Sequence, residues 1–101
     1  LAPVQVKVLS VTDRSLDYAT RVAERLEAAG LRVETDLRGA KIGYKIREAQ
    51  LQKIPYMLVV GDKEAEAGAV AVRNRTEGDL GVMPLEDFVA RITEEVATRS
   101  R

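Results

Sequence analysis

The chain has 101 residues, with sixteen basic and sixteen acidic side chains and neither cysteine nor histidine. This length suits one domain with its own core, and the two missing residue types exclude disulfides, Ser-His-Asp or Cys-His catalysis and zinc sites built from His or Cys. Zero net charge argues against coating nucleic acid through bulk charge, and no apolar stretch approaches the roughly 18 residues of a membrane span.

The first half predicts strand, helix, strand and helix. Residues 4–11 are mostly alternating and β-branched, which indicates a strand. Apolar residues then recur at spacings of three and four over residues 16–29, and Gly30 ends this first helix. Residues 31–36 alternate between apolar and polar, which is typical of a half-exposed edge strand.

A second helix is predicted before Pro55, which ends it. Its apolar stripe consists of Ile42, Ile46 and Ala49. Lys41 and Lys45 are expected one turn apart on its surface. Gly43 falls in its first turn, at a cost of about 1 kcal/mol relative to alanine. Either the helix begins after this glycine or another group needs to approach the backbone closely there.

The second half is organised around a central strand. Residues 56–60 form a continuous apolar run, as expected of a strand covered on both faces. Only residues 62–68, interpreted as a turn, separate it from the next strand, too few for a parallel crossover. Strand four is therefore antiparallel, with Val70 and Val72 on one face. Its other face, which we expect to be partly open, carries Ala69, Ala71, Arg73 and Arg75.

A turn at residues 76–79, a short strand at 80–83 and a helix beginning at Pro84 complete a β-α-β-α-β-β-β-α pattern. This pattern predicts a three-layer α/β/α domain. Right-handed crossovers place strand one between strands two and three, so a crevice is expected beyond their carboxyl ends, near Val11 and Gly61.

Few residues in this pattern suit catalysis. The glycines at 39 and 43 make a poor dinucleotide fingerprint, and Glu64 and Glu66 are interpreted as solvated turn residues. From Arg38 to Lys53 inclusive there are five basic residues and one acid, which mark either an anion site or a solvated helix face.

Binding is the better interpretation of the charged residues that follow the central strand. Lys63 and Glu64 end that strand, and Arg73 and Arg75 lie on its neighbour, so all four are expected in one region. A carboxylate accepts from the N1 and N2 hydrogens of guanine and arginine donates to base carbonyls, so such a cluster can read unpaired bases. An exposed hairpin with solvated ion pairs is the alternative.

The string from Asp36 to Glu64, DLRGAKIGYKIREAQLQKIPYMLVVGDKE, resembles the C-terminal anticodon-binding domain of bacterial threonyl-tRNA synthetases, which are class II enzymes. The likeness extends over the whole chain, and KIGYKIRE joined to PYML is specific to the threonyl branch. It implies one domain over residues 1–101 with a five-stranded mixed sheet of order 2-1-3-4-5, strand four antiparallel, and three helices. Because residue 1 is Leu and not Met, we expect a fragment of a larger synthetase.

The resemblance also implies a function. In that family the domain binds the anticodon loop of threonine tRNA and reads chiefly G and U at the second and third anticodon positions. The base-reading residues of the family fall on Lys63, Glu64 and Arg73. Contacts to the RNA backbone are expected from Arg38, Lys41, Lys45, Arg47 and Arg75. Where the family has Asn-Glu, this chain has Gly39-Ala40, and Gly39 has no side chain to replace the asparagine contact.

No cofactor or metal is expected in this domain, since the ATP, magnesium and zinc of the parent enzyme belong to its catalytic domain. The expected partners are the anticodon stem-loop and that catalytic domain. The expected location is the cytoplasm, and no membrane partner is expected. A stand-alone protein-interaction module with the same fold is the alternative.

Overall fold

A computed structural model describes residues 4–36 and 41–99, apart from the side chains of Asp13 and of residues 96–99. The strands are β1 (Val6–Ser10), β2 (Val33–Asp36), β3 (Tyr56–Val60), β4 (Ala69–Asn74) and β5 (Gly78–Pro84). The helices are α1 (Leu16–Ala28), α2 (Ile42–Leu51), α3 (Asp62–Ala67) and α4 (Leu85–Arg99).

The five strands form one sheet in the order β2-β1-β3-β4-β5, as predicted. β1 is parallel to both β2 and β3, while β4 is antiparallel to β3 and to β5. β5 is longer than the predicted 80–83, because the preceding turn occupies only residues 75–77. Arg75 therefore lies in this turn and not on β4.

Helices cover both faces of the sheet, which confirms the three-layer architecture. α1 and α4 pack against one face, where Val8, Leu58 and Val72 meet Leu26 and other helical side chains in the larger core. α2 covers the opposite face through a smaller core, which consists of Leu9, Ala49, Ile54 and Met57. Among the described residues, this second core draws on β1, α2, β3 and Ile54, which lies two residues before β3, so it leaves β4 and β5 uncovered on that side.

The prediction of three helices is wrong, because residues 62–67 form the additional helix α3 and not a turn. Its sequence, DKEAEA, has no apolar stripe, and none of its residues is buried. Gly68 ends it in the left-handed conformation, with φ +65°. The glycine at its carboxyl end is therefore a local signal for this helix, which periodicity could not reveal.

Two expectations for α2 also need correction. Lys45 was expected on the surface, but its side chain is 1% exposed and lies under the helix. The helix begins at Ile42, so Gly43 does not delay it. No other part of the described structure approaches Gly43 closely, since a Cβ added there would meet nothing within 4 Å.

Candidate nucleic-acid interface

The carboxyl edge of the sheet is built from the ends of β1 and β3. The backbone N–H of Val11 donates to the carbonyl of Val60 at 3.0 Å, which extends the pairing of the two strands by one residue. Beyond it, Thr12 Oγ1 donates to Asp62 Oδ1 at 3.1 Å. This bond joins the loop after β1 to the first residue of α3, so both segments meet where the sequence predicted a crevice.

Glu64 lies at this edge with its carboxylate in a defined position. Its Oε1 accepts the backbone N–H of Gly61 at 2.7 Å, so the side chain turns back to the start of α3. The side chain is half-buried, whereas that of Lys63 is exposed. These two predicted base-reading residues are therefore neighbours on α3, one with a hydrogen-bonded carboxylate and one exposed to solvent.

Tyr18 shows on which side of the sheet the Glu64 carboxylate lies. Its hydroxyl donates to the Ala69 carbonyl at 2.7 Å, and its ring packs on the core beneath α1. Burial, and secondly the negative charge of Glu64, raise the pKa of the Tyr18 hydroxyl. Glu64 therefore lies towards the α1 side of the carboxyl edge.

Lys45 lies at the same edge, beneath α2. Its Nζ donates to the Ser10 carbonyl at 3.0 Å, to Ser10 Oγ at 3.3 Å and to the Asp36 carbonyl at 3.1 Å. Ser10 and Asp36 are the last residues of β1 and β2. The ammonium group thus joins α2 to two strand ends, and a buried group bonded in this way is not placed to contact RNA.

Arg73 lies on the other face of the sheet, away from Glu64. It pairs with Met57, which belongs to the core beneath α2, so Arg73 shares the α2 side. That side is open over β4 and β5, as expected, with Val82 63% exposed. The Nε of Arg73 is buried, and it has no hydrogen-bond partner among the residues that the structure describes.

The four charged residues expected in one region are spread along the sheet. The partner of Arg73 on β3, Met57, precedes Gly61 by four residues, or about 13 Å along a strand. Arg75 lies at the opposite edge, where its N–H donates to the Pro55 carbonyl at 2.9 Å. The expectation of a single cluster is therefore wrong, because β4 runs away from α3.

The remaining basic candidates lie on or near α2. Lys41 immediately precedes the helix and is exposed, close to the carboxyl edge that Lys45 anchors. Arg47 is exposed further along the helix, six residues after Lys41. Arg38, like Gly39 and Ala40, lies outside the described residues.

Sequence reasoning missed the residues that support this edge. Ser10, Thr12 and Gly61 each hold a neighbouring side chain in position by a hydrogen bond, yet none of the three was proposed as a site residue. Thr12 and Gly61 carried a signal, because both lie at strand ends where a crevice was expected. The described residues hold no group of three side chains suited to a metal ion. None of their helices is both long and apolar enough to cross a bilayer.

Comparisons with known proteins identify the family of this chain. A family model described as an anticodon binding domain matches residues 5–95. Threonine–tRNA ligase from Syntrophomonas wolfei is 64% identical over 96 residues, which cover 95% of this chain and 15% of the relative. Threonine–tRNA ligase from Clostridium acetobutylicum is 59% identical over 96 residues, which again cover 95% of this chain and 15% of the relative. The chain thus spans about a sixth of the length of these curated relatives.

Solved structures show the same fold. The RNA binding domain of threonyl-tRNA synthetase from Cryptosporidium parvum matches with a TM-score of 0.87 and 34% identity over 92% of this chain and 24% of that one. Histidyl-tRNA synthetase from Nostoc matches with a TM-score of 0.86 and 25% identity over 94% of this chain and 23% of that one. The alternative of a stand-alone interaction module is not favoured. The chain belongs to the anticodon-binding domain family and is of the threonyl-tRNA synthetase type.

Proposed function

We propose that this domain binds the anticodon loop of threonine tRNA and so supports threonylation by a separate catalytic domain. The observation that carries the proposal is the fixed carboxylate of Glu64 at the carboxyl edge, beside an exposed Lys63. The parent enzyme would work in the cytoplasm, with ATP, magnesium and zinc held by its catalytic domain. This chain supplies RNA binding and none of the chemistry of amino-acid transfer.

Glu64 is suited to recognising guanine at the second anticodon position. An ionised carboxylate only accepts hydrogen bonds, and its two oxygens offer about four acceptor sites. Gly61 occupies one of these sites on Oε1. The remaining sites can accept the N1 and N2 hydrogens of an unpaired guanine, whereas adenine offers no hydrogen on N1.

Positive charge around Glu64 would hold the RNA backbone. These contacts would come from Lys41, exposed near the carboxyl edge, and from Arg47, exposed on α2, whereas the exposed Lys63 beside Glu64 would contact an anticodon base. Arg73, which is half-buried on the open α2 side, would contact a second base away from α3. Arg38 and Arg75 stay in the proposed set of backbone contacts, whereas Lys45 does not because it is buried.

The proposal is tested by titrating the chain with anticodon stem-loops that carry guanosine, inosine or adenosine at the second anticodon position. Inosine keeps the N1 hydrogen and lacks the 2-amino group. We expect wild type to prefer guanosine over adenosine by about 5- to 150-fold, the equivalent of 1 to 3 kcal/mol, and Glu64→Gln to lose most of this preference. NMR shift changes detect the binding even at millimolar affinity. Equal binding of all three loops by wild type would contradict the proposal.

A further inference from the structure

We propose that Gly61 is a positioning residue that sets the guanine specificity of this domain by holding the Glu64 carboxylate. The inference rests on the proposed function, since it assumes that Glu64 reads the base. Gly61 is buried between the end of β3 and the start of α3, so it does not touch the RNA itself.

The first argument is the hydrogen bond. The N–H of Gly61 donates to Glu64 Oε1 at 2.7 Å, which is the length of a charge-assisted bond. A free glutamate side chain loses rotamer entropy when it is fixed against a ligand, and this loss weakens binding. Because Gly61 already orients the carboxylate, less of this ordering remains when guanine binds.

The second argument is steric. Gly61 has φ −126° and ψ −166°, an extended conformation that any residue can adopt, so backbone strain does not require glycine. A Cβ at this position would instead lie 3.1 Å from Glu64 Oε1 and 3.5 Å from both Cβ and Cγ2 of Val11. Only the contact with the carboxylate is tighter than ordinary packing. The missing side chain therefore leaves room for the Glu64 carboxylate.

These contacts also predict that alanine at position 61 is compatible with folding. The one tight neighbour is the end of a flexible side chain, which can turn away, and the two contacts with Val11 are ordinary van der Waals distances. Gly61→Ala is thus expected to move Glu64 and to leave the sheet intact. Gly43→Ala is a matched control, because a methyl group there would meet nothing within 4 Å.

The experiment repeats the titrations with guanosine, inosine and adenosine loops for wild type, Gly61→Ala and Gly43→Ala, with urea unfolding curves for each protein. We expect Gly61→Ala to reduce the preference for guanosine over inosine and adenosine by about tenfold, which corresponds to one hydrogen bond to a charged group. Binding of the adenosine loop should change by less than about threefold, because backbone contacts supply most of that affinity. Gly43→Ala should keep the wild-type preference.

Several outcomes overturn the inference. Undiminished guanosine preference in Gly61→Ala would show that Gly61 does not position Glu64, even when wild type discriminates. An equal loss for all three loops would show a purely structural role. If Gly61→Ala unfolds readily, the substitution Val11→Ala is added, because it removes Cγ2, one of the two Val11 atoms in contact. The positioning role is contradicted if this double variant folds and regains the full preference for guanosine. It is also contradicted if the double variant still fails to fold. Failure of the proposed function looks different, since wild type itself would then not discriminate.

Discussion

Lys45 places an ammonium group inside the fold, which is costly unless hydrogen bonds replace its water. Two strand-end carbonyls and the Ser10 hydroxyl provide these bonds, at 3.0 to 3.3 Å. The same bonds satisfy the carbonyls of Ser10 and Asp36 where the strand ladder ends. A single side chain thereby fixes the first turns of α2 against the two parallel strands.

This arrangement makes Lys45→Met a destabilising substitution. Methionine can fill much of the same volume, but it leaves the two buried carbonyl oxygens without this donor, and we expect a loss of about 1 to 3 kcal/mol in the free energy of unfolding. Urea denaturation followed by circular dichroism measures the loss. Arg47→Met on the same helix is the control, because Arg47 is exposed and its replacement should change stability by less than about 0.5 kcal/mol. Equal midpoints for the two variants would show that the Lys45 bonds contribute nothing net.

At the level of secondary structure, the sequence predicts those helices and strands whose buried residues recur in a regular pattern along the chain. The run 56–60 and the spacing within 16–28 identify β3 and α1, since both elements bury several apolar residues. Lys45 was wrongly predicted to be exposed because lysine is usually a surface residue. Its position indicates otherwise, since it lies three residues after Ile42 and four before Ala49, on the inner side of α2. α3 buries no residue, so it leaves no periodic signal. The contact between Gly61 and Glu64 is local, because the N3 side chain accepts the N–H of the N-cap residue three positions earlier, as in a capping box. The sequence hides it because glycine replaces the serine or threonine that usually signals this motif.

The short helix α3 depends on its ends, since six residues are too few for an isolated helix to be stable in water. Gly68 has φ +65° and ψ 32°, a conformation that costs other L-residues about 1 to 2 kcal/mol. We therefore expect Gly68→Ala to lower the free energy of unfolding by about 1 kcal/mol, once the smaller entropy of the unfolded alanine chain is included.

The substitution Gly43→Ala is expected to change the free energy of unfolding in the opposite direction. Gly43 is helical and unobstructed, so alanine there should raise stability by about 0.5 to 1 kcal/mol. Thermal or urea unfolding of both variants measures the two changes. If both substitutions shifted stability in the same direction, backbone conformation would not determine the role of these glycines.

Across the whole molecule, the antiparallel return of β4 separates the candidate base-reading residues. Glu64 lies at the carboxyl edge towards α1, and Arg73 lies on the α2 side, several residues back along the sheet. No hydrogen bond or ion pair between these two side chains is found among the described residues. A nucleotide loop that contacted both would have to extend across the edge of the sheet, so that each side chain meets a different base.

This separation predicts that the two residues act independently on RNA binding. Sites more than about 7 to 10 Å apart without shared protein partners usually give additive free-energy changes, within about 0.5 kcal/mol. Glu64→Gln and Arg73→Gln should therefore each weaken binding of the guanosine stem-loop by about 1 to 3 kcal/mol. The double variant should lose the sum, measured by titration at one salt concentration, because phosphate contacts make affinity strongly salt-dependent. A coupling energy above about 1 kcal/mol would mean that both side chains grip the same base, which the register of β3 and β4 makes difficult over about 13 Å.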